Sequence, residues 1–350
     1  MVSTKPLVHD LSYLELEKQL KLLGEPGYRA RQIWVALYQH FIDDAHQMTT
    51  LPKVLREKLA DYFSFNALSP VRSIQSRDGQ TTKTLFKLSD NLLIETVLMI
   101  YENRRTLCIS SQSGCGLGCK FCATGQMGFL RNLTSGEIVA QVTYFGKKLA
   151  EKNDRLTNVV LMGMGEPFLN YDHVMAAIER LNDPDAFGLG ARRMTISTVG
   201  VVPKIKQFAE TGTQVNLAIS LHTVNNDLRS ELIPINKKYP VESILEACRY
   251  YIAKTNRRVT FEYALIDGVN DSVEEATALA QKLKGMLCHV NLIPLNPTRG
   301  YNKQGAGIDQ VESFRKVLDE FHIPCTVRLR RGIEISAGCG QLAVESTLSN

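Results

Sequence analysis

The 350-residue sequence predicts an α/β fold: a partial barrel of six β/α units around a parallel sheet, preceded by a small helical domain and a β-hairpin linker. Three observations carry that reading. Short apolar runs suited to parallel strands recur at 106–110, 158–162, 194–199, 214–220, 259–266 and 289–293. Amphipathic segments separate them, at about 171–182, 202–210, 241–254 and 272–284, the alternation that builds parallel sheets. Polar residues gather at the carboxyl ends of these runs, where the loops of a barrel or part-barrel converge on one face.

In chain order, residues 1–65 read as a helical domain. Leu11, Leu14, Leu20 and Leu23 form a loose apolar stripe that Gly24-Glu25-Pro26-Gly27 ends. A second helix over 28–41 places Ile33, Trp34, Leu37 and Phe41 on one face and Arg29, Arg31 and Gln32 on the other. A third, over 52–62, starts with Pro52 near its first position. Arg29, Arg31, Lys53, Arg56 and Lys58 make either a phosphate-binding face or simply the solvated side of a bundle. A β-rich linker follows over 66–100, with runs at 71–75 and 82–88 flanking Asp78-Gly79, a hairpin signal. A further run over 92–100 carries Glu95 in its middle, and strand alternation turns that carboxylate to water.

The central unit, 101–334, opens with the run 106–110 and then a Gly-rich loop, Gly114-Cys115-Gly116-Leu117-Gly118-Cys119-Lys120-Phe121-Cys122. Cys115, Cys119 and Cys122 stand in C-x3-C-x2-C spacing, and glycine lets such a short loop curl three thiolates around one centre. Soft thiolates select iron–sulfur clusters, zinc or Cu(I). A structural zinc wants four protein ligands, and no fourth Cys or His lies near this loop. Three thiolates on a four-iron cluster instead leave one iron open to a ligand. Beyond the loop, Thr134-Ser135-Gly136-Glu137 is a capping box, followed by Ile138, Val142, Phe145 and Leu149 at helical spacing.

The polar groups then fall in register. Gly163-Met164-Gly165-Glu166-Pro167 follows the second run, Ser197 ends the third, Ser220-Leu221-His222 ends the fourth, and Asn296 follows the sixth. Gly163 and Gly165 allow close approach of a ligand to backbone, and Glu166, Ser197, Ser220 and Asn296 offer carboxylate, hydroxyl and amide groups to a polar ligand. His222 either bonds that ligand or caps the next helix. Among the remaining cysteines, Cys248, Cys288 and Cys325 read as small buried hydrophobes. Cys339 differs, lying in Ser336-Ala337-Gly338-Cys339-Gly340-Gln341 in a tail over 335–350, with no element to bury it, which favours reactive chemistry. Cys108 reads as a core residue by position, and only its nearness to the cysteine loop argues otherwise.

Composition bounds the setting. Hydrophobic content of 44% with 22% charged residues suits a soluble globular enzyme, and a net charge of +5 permits a polyanionic partner without requiring one. No apolar h-region follows Met1 and no stretch approaches about 18 apolar residues, so neither signal peptide nor membrane span is expected. Eight cysteines without a secretory signal point to a reducing cytoplasm.

Taken together, these stretches resemble the RlmN/Cfr family of radical S-adenosylmethionine (SAM) RNA adenine methyltransferases. The likeness extends from the cysteine loop to Cys108-Ile109-Ser110-Ser111-Gln112, Gly128-Phe129-Leu130-Arg131-Asn132-Leu133-Thr134, Met162 through Pro167, Ser220-Leu221-His222 and Cys339-Gly340-Gln341-Leu342. It implies a partial (β/α)6 TIM-like radical-SAM barrel holding one 4Fe–4S cluster on Cys115, Cys119 and Cys122. It also implies a SAM site lined by Gly165, Glu166, Ser197, Ser220, Leu221, His222 and Asn296. The resemblance further implies that two SAM molecules are used per turnover: one to methylate Cys339, and the other, cleaved to a 5′-deoxyadenosyl radical, to take hydrogen from that methyl group. The resulting methylene radical adds to adenine C2. Cys108 then resolves the protein–RNA adduct through a transient disulfide with Cys339, and Glu95 matches the family's proton acceptor.

The resemblance further implies 23S rRNA and tRNA as partners, an electron donor such as flavodoxin or ferredoxin, no membrane, and a cytoplasmic monomer. The N-terminal helices with Arg328, Arg330 and Arg331 are the candidate RNA contacts. The Cfr type attacks C8 instead and confers antibiotic resistance, and the motifs do not chemically decide the carbon. Two other classes remain: a non-catalytic iron–sulfur or zinc RNA-binding protein, and a radical-SAM enzyme acting on a small molecule or protein.

Overall fold

The computed structural model describes residues 5–328 and 331–343. The chain opens with three helices. In α1 (Tyr13–Leu22), Ser12 and Glu15 close a reciprocal capping box, and Leu16 and Leu20, one turn apart, form the buried seam. Leu14 is 66% exposed, so the expected leucine stripe is displaced: the buried line runs through Leu16 instead. α2 (Tyr28–Tyr38) stops short of Phe41, whose φ of 54° breaks the helix and swings its ring onto Phe187. α3 (Lys53–Tyr62) takes Pro52 as its extended N-cap rather than as a helical residue.

Among the described residues, ten strands form one continuous sheet. β1 (Ser69–Gln75) and β2 (Thr81–Lys87) are joined at the expected Asp78-Gly79 turn, and β3 (Leu93–Tyr101) and β4 (Arg104–Cys108) continue the antiparallel ribbon. A small antiparallel pair, β5 (Gln112–Gly114) and β6 (Phe129–Asn132), brackets the cysteine loop and the one-turn α4 (Ala123–Gln126). From β4 onward the sheet is parallel, through β7 (Asn158–Leu161), β8 (Met194–Thr198), β9 (Asn216–Ser220), β10 (Val259–Leu265), β11 (Cys288–Pro294) and β12 (Cys325–Val327). Helices α5 (Ser135–Ala150), α6 (Tyr171–Asn182), α7 (Val202–Ala209), α8 (Asn226–Leu232), α9 (Val241–Thr255), α10 (Val273–Leu283) and α11 (Ile308–Glu320) fill the crossovers. All six expected parallel strands are present, and β12 adds a seventh. The expected capping box of α5 forms: Glu137 donates its backbone N–H to Thr134 Oγ1 at 3.2 Å and accepts the Thr134 N–H at 2.9 Å.

The helical domain is docked on α5 and α6. Trp34 Nε1 donates to Asp183 at 3.2 Å, Asp10 accepts the Gly136 backbone N–H at 2.7 Å, and the Arg180 guanidinium donates to the His9 carbonyl while lying over Trp34. His9 is buried in this joint, and burial, reinforced by the Arg180 charge, lowers its pKa from 6.5 to about 4. A depressed histidine contributes stability that is present above its unfolded pKa and is lost as pH falls toward the folded value. Stability should therefore drop by about 2 kcal/mol between pH 7 and pH 5 from this residue alone. Denaturant unfolding at the two pH values checks it: His9→Phe, which cannot titrate, should flatten that difference, and an unchanged difference would rule the assignment out.

Candidate active site

The carboxyl ends of the parallel strands open into one cavity. Cys115, Cys119 and Cys122 line it, and so do Cys108, just before the loop, and Cys339, near the end of the chain. Gly165, Glu166, Ser197, Ser220, His222 and Asn296 complete the set that the sequence singles out. Leu221 does not join them. Its side chain is fully buried in the core, its N–H donates to the Glu262 carbonyl at 3.1 Å and its own carbonyl accepts Arg229 Nε at 3.0 Å, so it borders the site between Ser220 and His222 without its side chain entering the cavity.

The β5/β6 pair sets the cysteine loop. Gly114, at φ 72°, lies so close to its partner strand that a Cβ would stand 2.0 Å from the Gly128 carbonyl oxygen, so only glycine fits the start of the loop. Burial pushes the Cys115 thiol up to about 12 and raises Cys119 and Cys122 as well, so all three hold their protons until a metal displaces them. Among the described residues no group of three His, Cys, Asp or Glu side chains is arranged to hold a metal ion as it stands. The donor chemistry nevertheless fits a cluster with one open position: three soft ligands on one loop face one cavity.

Glu166 caps the 3-10 turn Pro167–Asn170 through its Phe168 N–H contact at 3.0 Å, and its other oxygen accepts the Val199 N–H at 3.0 Å. Burial raises its pKa to about 7. It thus ties the ends of β7 and β8 together, with its remaining lone pairs left for a ligand. Gly165 is required by packing as well as by ligand access, since a Cβ there would meet Gln112 at 2.5 Å. His222 sits at φ 63°, and its Nδ1 accepts the Ala264 N–H at 2.9 Å. Burial drops its pKa to about 3, so the ring is neutral, and the occupied Nδ1 fixes the proton on Nε2 as a donor. Ser197 and Ser220 lie 3.3 Å apart, and Arg229, fully buried beneath them, donates to the carbonyls of Val199, Ser220 and Leu221 and to Asn236 Oδ1.

The tail lies across this opening. The Gly340 carbonyl accepts the Ala123 N–H at 2.7 Å, the Leu342 carbonyl accepts Thr124 Oγ1 at 2.6 Å, and Asn296 Nδ2 donates to the Cys339 carbonyl at 3.4 Å. Cys339 itself is exposed and free, and burial pushes the Cys108 thiol up to about 12. Glu95 corrects the alternation reading. It is buried, paired with Lys83 at 3.0 Å, and accepts the Ala343 N–H at 3.0 Å. Strand β3 has no wet face, because α5 covers one side, where Thr96 Oγ1 donates to Gln141 at 2.7 Å, and the tail covers the other. Lys83 also donates to the Ser336 carbonyl at 3.2 Å, so one buried ion pair ties the linker to the tail.

The candidate RNA-contacting cations divide. Arg31 is paired with Asp185 at 3.1 Å, Lys53 with Glu57, and Lys58 with Glu25, while Arg56 donates to the His46 carbonyl. Arg29 stacks on the exposed Tyr28 ring. Arg328 lines the cavity rather than the outer surface, Arg331 stacks on Tyr101 at 4.3 Å, and Arg330 lies outside the described residues. Cys325, expected to be buried, is only half-buried on β12, the edge strand of the sheet among the described residues. Sequence reasoning passed over Lys83, Arg229 and Glu262. For Glu262 the signal was available, a lone carboxylate within the apolar run 259–266.

The comparisons agree with this geometry. Residues 109–280 match the radical SAM superfamily, and residues 8–64 match the N-terminal domain of a ribosomal RNA large-subunit methyltransferase. A protein of Chloroflexus aurantiacus, described as a probable dual-specificity RNA methyltransferase RlmN, is 48% identical over 96% of this chain and 92% of its own. A protein of Geobacillus kaustophilus with the same description is 47% identical over the same shares. The crystal structure of a radical SAM methyltransferase from Sphaerobacter thermophilus superposes with a TM-score of 0.95 at 50% identity, covering 97% of this chain and all of that one. The chain therefore belongs to the RlmN family of radical-SAM RNA methyltransferases.

Proposed function

We propose that this enzyme methylates C2 of one adenosine in the peptidyl-transferase region of 23S rRNA and of the adenosine 3′ to the anticodon in some tRNAs. The supporting observation is the sharing of one cavity by five cysteines: the three of the loop, with Cys108 and Cys339. A methyl group carried on Cys339 could then be activated and delivered without leaving the site. Cys115, Cys119 and Cys122 are the residues that would hold the 4Fe–4S cluster, which when bound supplies the electron that splits SAM homolytically. Gly165, Glu166, Ser197, Ser220, His222 and Asn296 orient SAM, His222 as an Nε2–H donor.

The chain's own groups do the rest. The Cys339 sulfur accepts a methyl group from one SAM by displacement and presents it to the adenine ring, whose C2 has no nucleophilic character of its own. Glu95, oriented by Lys83, takes the C2 proton. The Cys108 thiolate then attacks the Cys339 sulfur, and the bond from that sulfur to the transferred carbon breaks with its electron pair passing to the carbon, which takes up a proton. The disulfide left behind is reduced before the next turnover. A flavodoxin or ferredoxin supplies electrons to a cytoplasmic monomer. RNA docks through phosphate contacts with the target base splayed out, and the Arg29–Tyr28 stack is the N-terminal contact best placed for that task. The test is mass spectrometry of rRNA and tRNA after anaerobic iron and sulfide loading, with SAM and a reductant. 2-Methyladenosine is the expected product, 8-methyladenosine would replace the C2 assignment, and unmodified RNA would defeat the proposal.

A further inference from the structure

The barrel interior holds a carboxylate that this mechanism does not use. Glu262 on β10 is 5% exposed, lines the cavity, and has one oxygen, Oε2, with no hydrogen-bond partner among the described residues. Its other oxygen is fixed. Asn291 Nδ2 on β11 donates to Oε1 at 3.0 Å, Thr326 Oγ1 on β12 donates to Asn291 Oδ1 at 2.6 Å, and His289 Nε2 lies 3.0 Å from Thr326 Oγ1. Three neighbouring strands thus set the plane of the Glu262 carboxylate. A buried acceptor held this firmly and left unpaired is a place where a ligand donor belongs.

The neighbours suggest which donor. Arg328, on the segment following β12, lines the same cavity as Glu262, Cys108 and Cys339, and the Glu262 carboxylate acts on its guanidinium. An acceptor beside a donor matches a base edge that offers a donor beside an acceptor. The Watson–Crick edge of adenine does so, with its 6-amino group next to N1. N1 is bonded to C2, so a base whose N1 faces Arg328 has C2 beside the two thiols that share that guanidinium's surroundings.

Building on the adenine reading above, we infer that Glu262 is a specificity-determining residue that accepts a hydrogen bond from the 6-amino group of the flipped target adenosine, with Arg328 facing N1. The SAM ribose could offer hydroxyl donors to the same oxygen, and the test separates the two sources. RNA bearing adenosine or purine riboside, which lacks the 6-amino group, at the target position is methylated by wild type, Glu262→Gln and Glu262→Ala. Wild type should favour adenosine by about 10–100-fold in kcat/KM, and Glu262→Ala should bring the two RNAs close to parity. A merely structural role would lower both RNAs equally and leave the ratio intact. Equal use of both RNAs by wild type overturns the inference without any variant, and so does a ratio preserved in Glu262→Ala. If Glu262→Ala instead erases discrimination against SAM lacking its ribose hydroxyls, Glu262 serves SAM and the inference falls. Failure of wild type to methylate natural RNA at all would strike the proposed function itself, a distinct result.

Discussion

Replacing Cys339 with alanine should abolish RNA methylation, lowering turnover by on the order of 10⁴-fold or more, because the proposed route passes the methyl carbon through the Cys339 sulfur. The fold should not notice. Cys339 is exposed, makes no disulfide, and contributes to the tail's hydrogen bonds only through its backbone, so stability should stay within about 0.5 kcal/mol of wild type. SAM cleavage should persist, since Cys115, Cys119 and Cys122 and the polar groups of the SAM site are untouched. The combination is diagnostic: cleaved SAM with unmethylated RNA separates a carrier from a structural cysteine. A variant that still methylates RNA at a tenth of the wild-type rate or better would remove Cys339 from the pathway.

Arg229→Met should produce the largest loss of stability. The side chain is completely buried and, among the described residues, has no carboxylate partner; its charge is satisfied by three backbone carbonyls and Asn236. Burial pulls its pKa down only to about 10, so it remains charged at neutral pH. Methionine matches the stem but supplies no donor, which leaves four buried acceptors unpaired beneath the ends of β8 and β9. The expected cost is about 3–5 kcal/mol, read as a fall in Tm on the order of 10 °C. SAM affinity should fall with it, since the orphaned carbonyls of Val199 and Ser220 lie at the positions that present Ser197 and Ser220. A Tm shift below about 2 °C would show that water replaces the guanidinium and that the tie is dispensable.

The sequence made the barrel legible for a physical reason. Parallel strands covered on both faces show as unbroken apolar runs, and all six runs became strands. The Asp78-Gly79 turn and the Thr134–Glu137 box were equally plain, because local hydrogen bonds specify them. The β5/β6 pair was not legible: Gln112-Ser113-Gly114 is short and polar, and its pairing with Phe129–Asn132 follows from closure of the cysteine loop rather than from any period. Alternation misplaced Glu95 because the rule assumes one wet face, and nothing local announces that the tail will cover it. The Lys83–Glu95 pair joins adjacent strands, so two charges in two apolar-patterned segments were the only clue. Positions at strand ends placed Ser197, Ser220 and His222 on the cavity, but a strand end has two sides, and Leu221 turned into the core. The roles of Cys108 and Cys339 rest on the family resemblance, and what the structure adds is that both line the cavity of the cysteine loop.

The most direct test follows the carbon. Enzyme loaded with SAM whose methyl group is carbon-13 should carry that label on Cys339 after unbound SAM is removed, and peptide mass spectrometry locates it. A single turnover is then run with RNA, reductant and unlabelled SAM. The account predicts that the labelled carbon leaves Cys339 and appears on adenine C2. Label retained on the protein, with an unlabelled methyl group on the RNA, would contradict it.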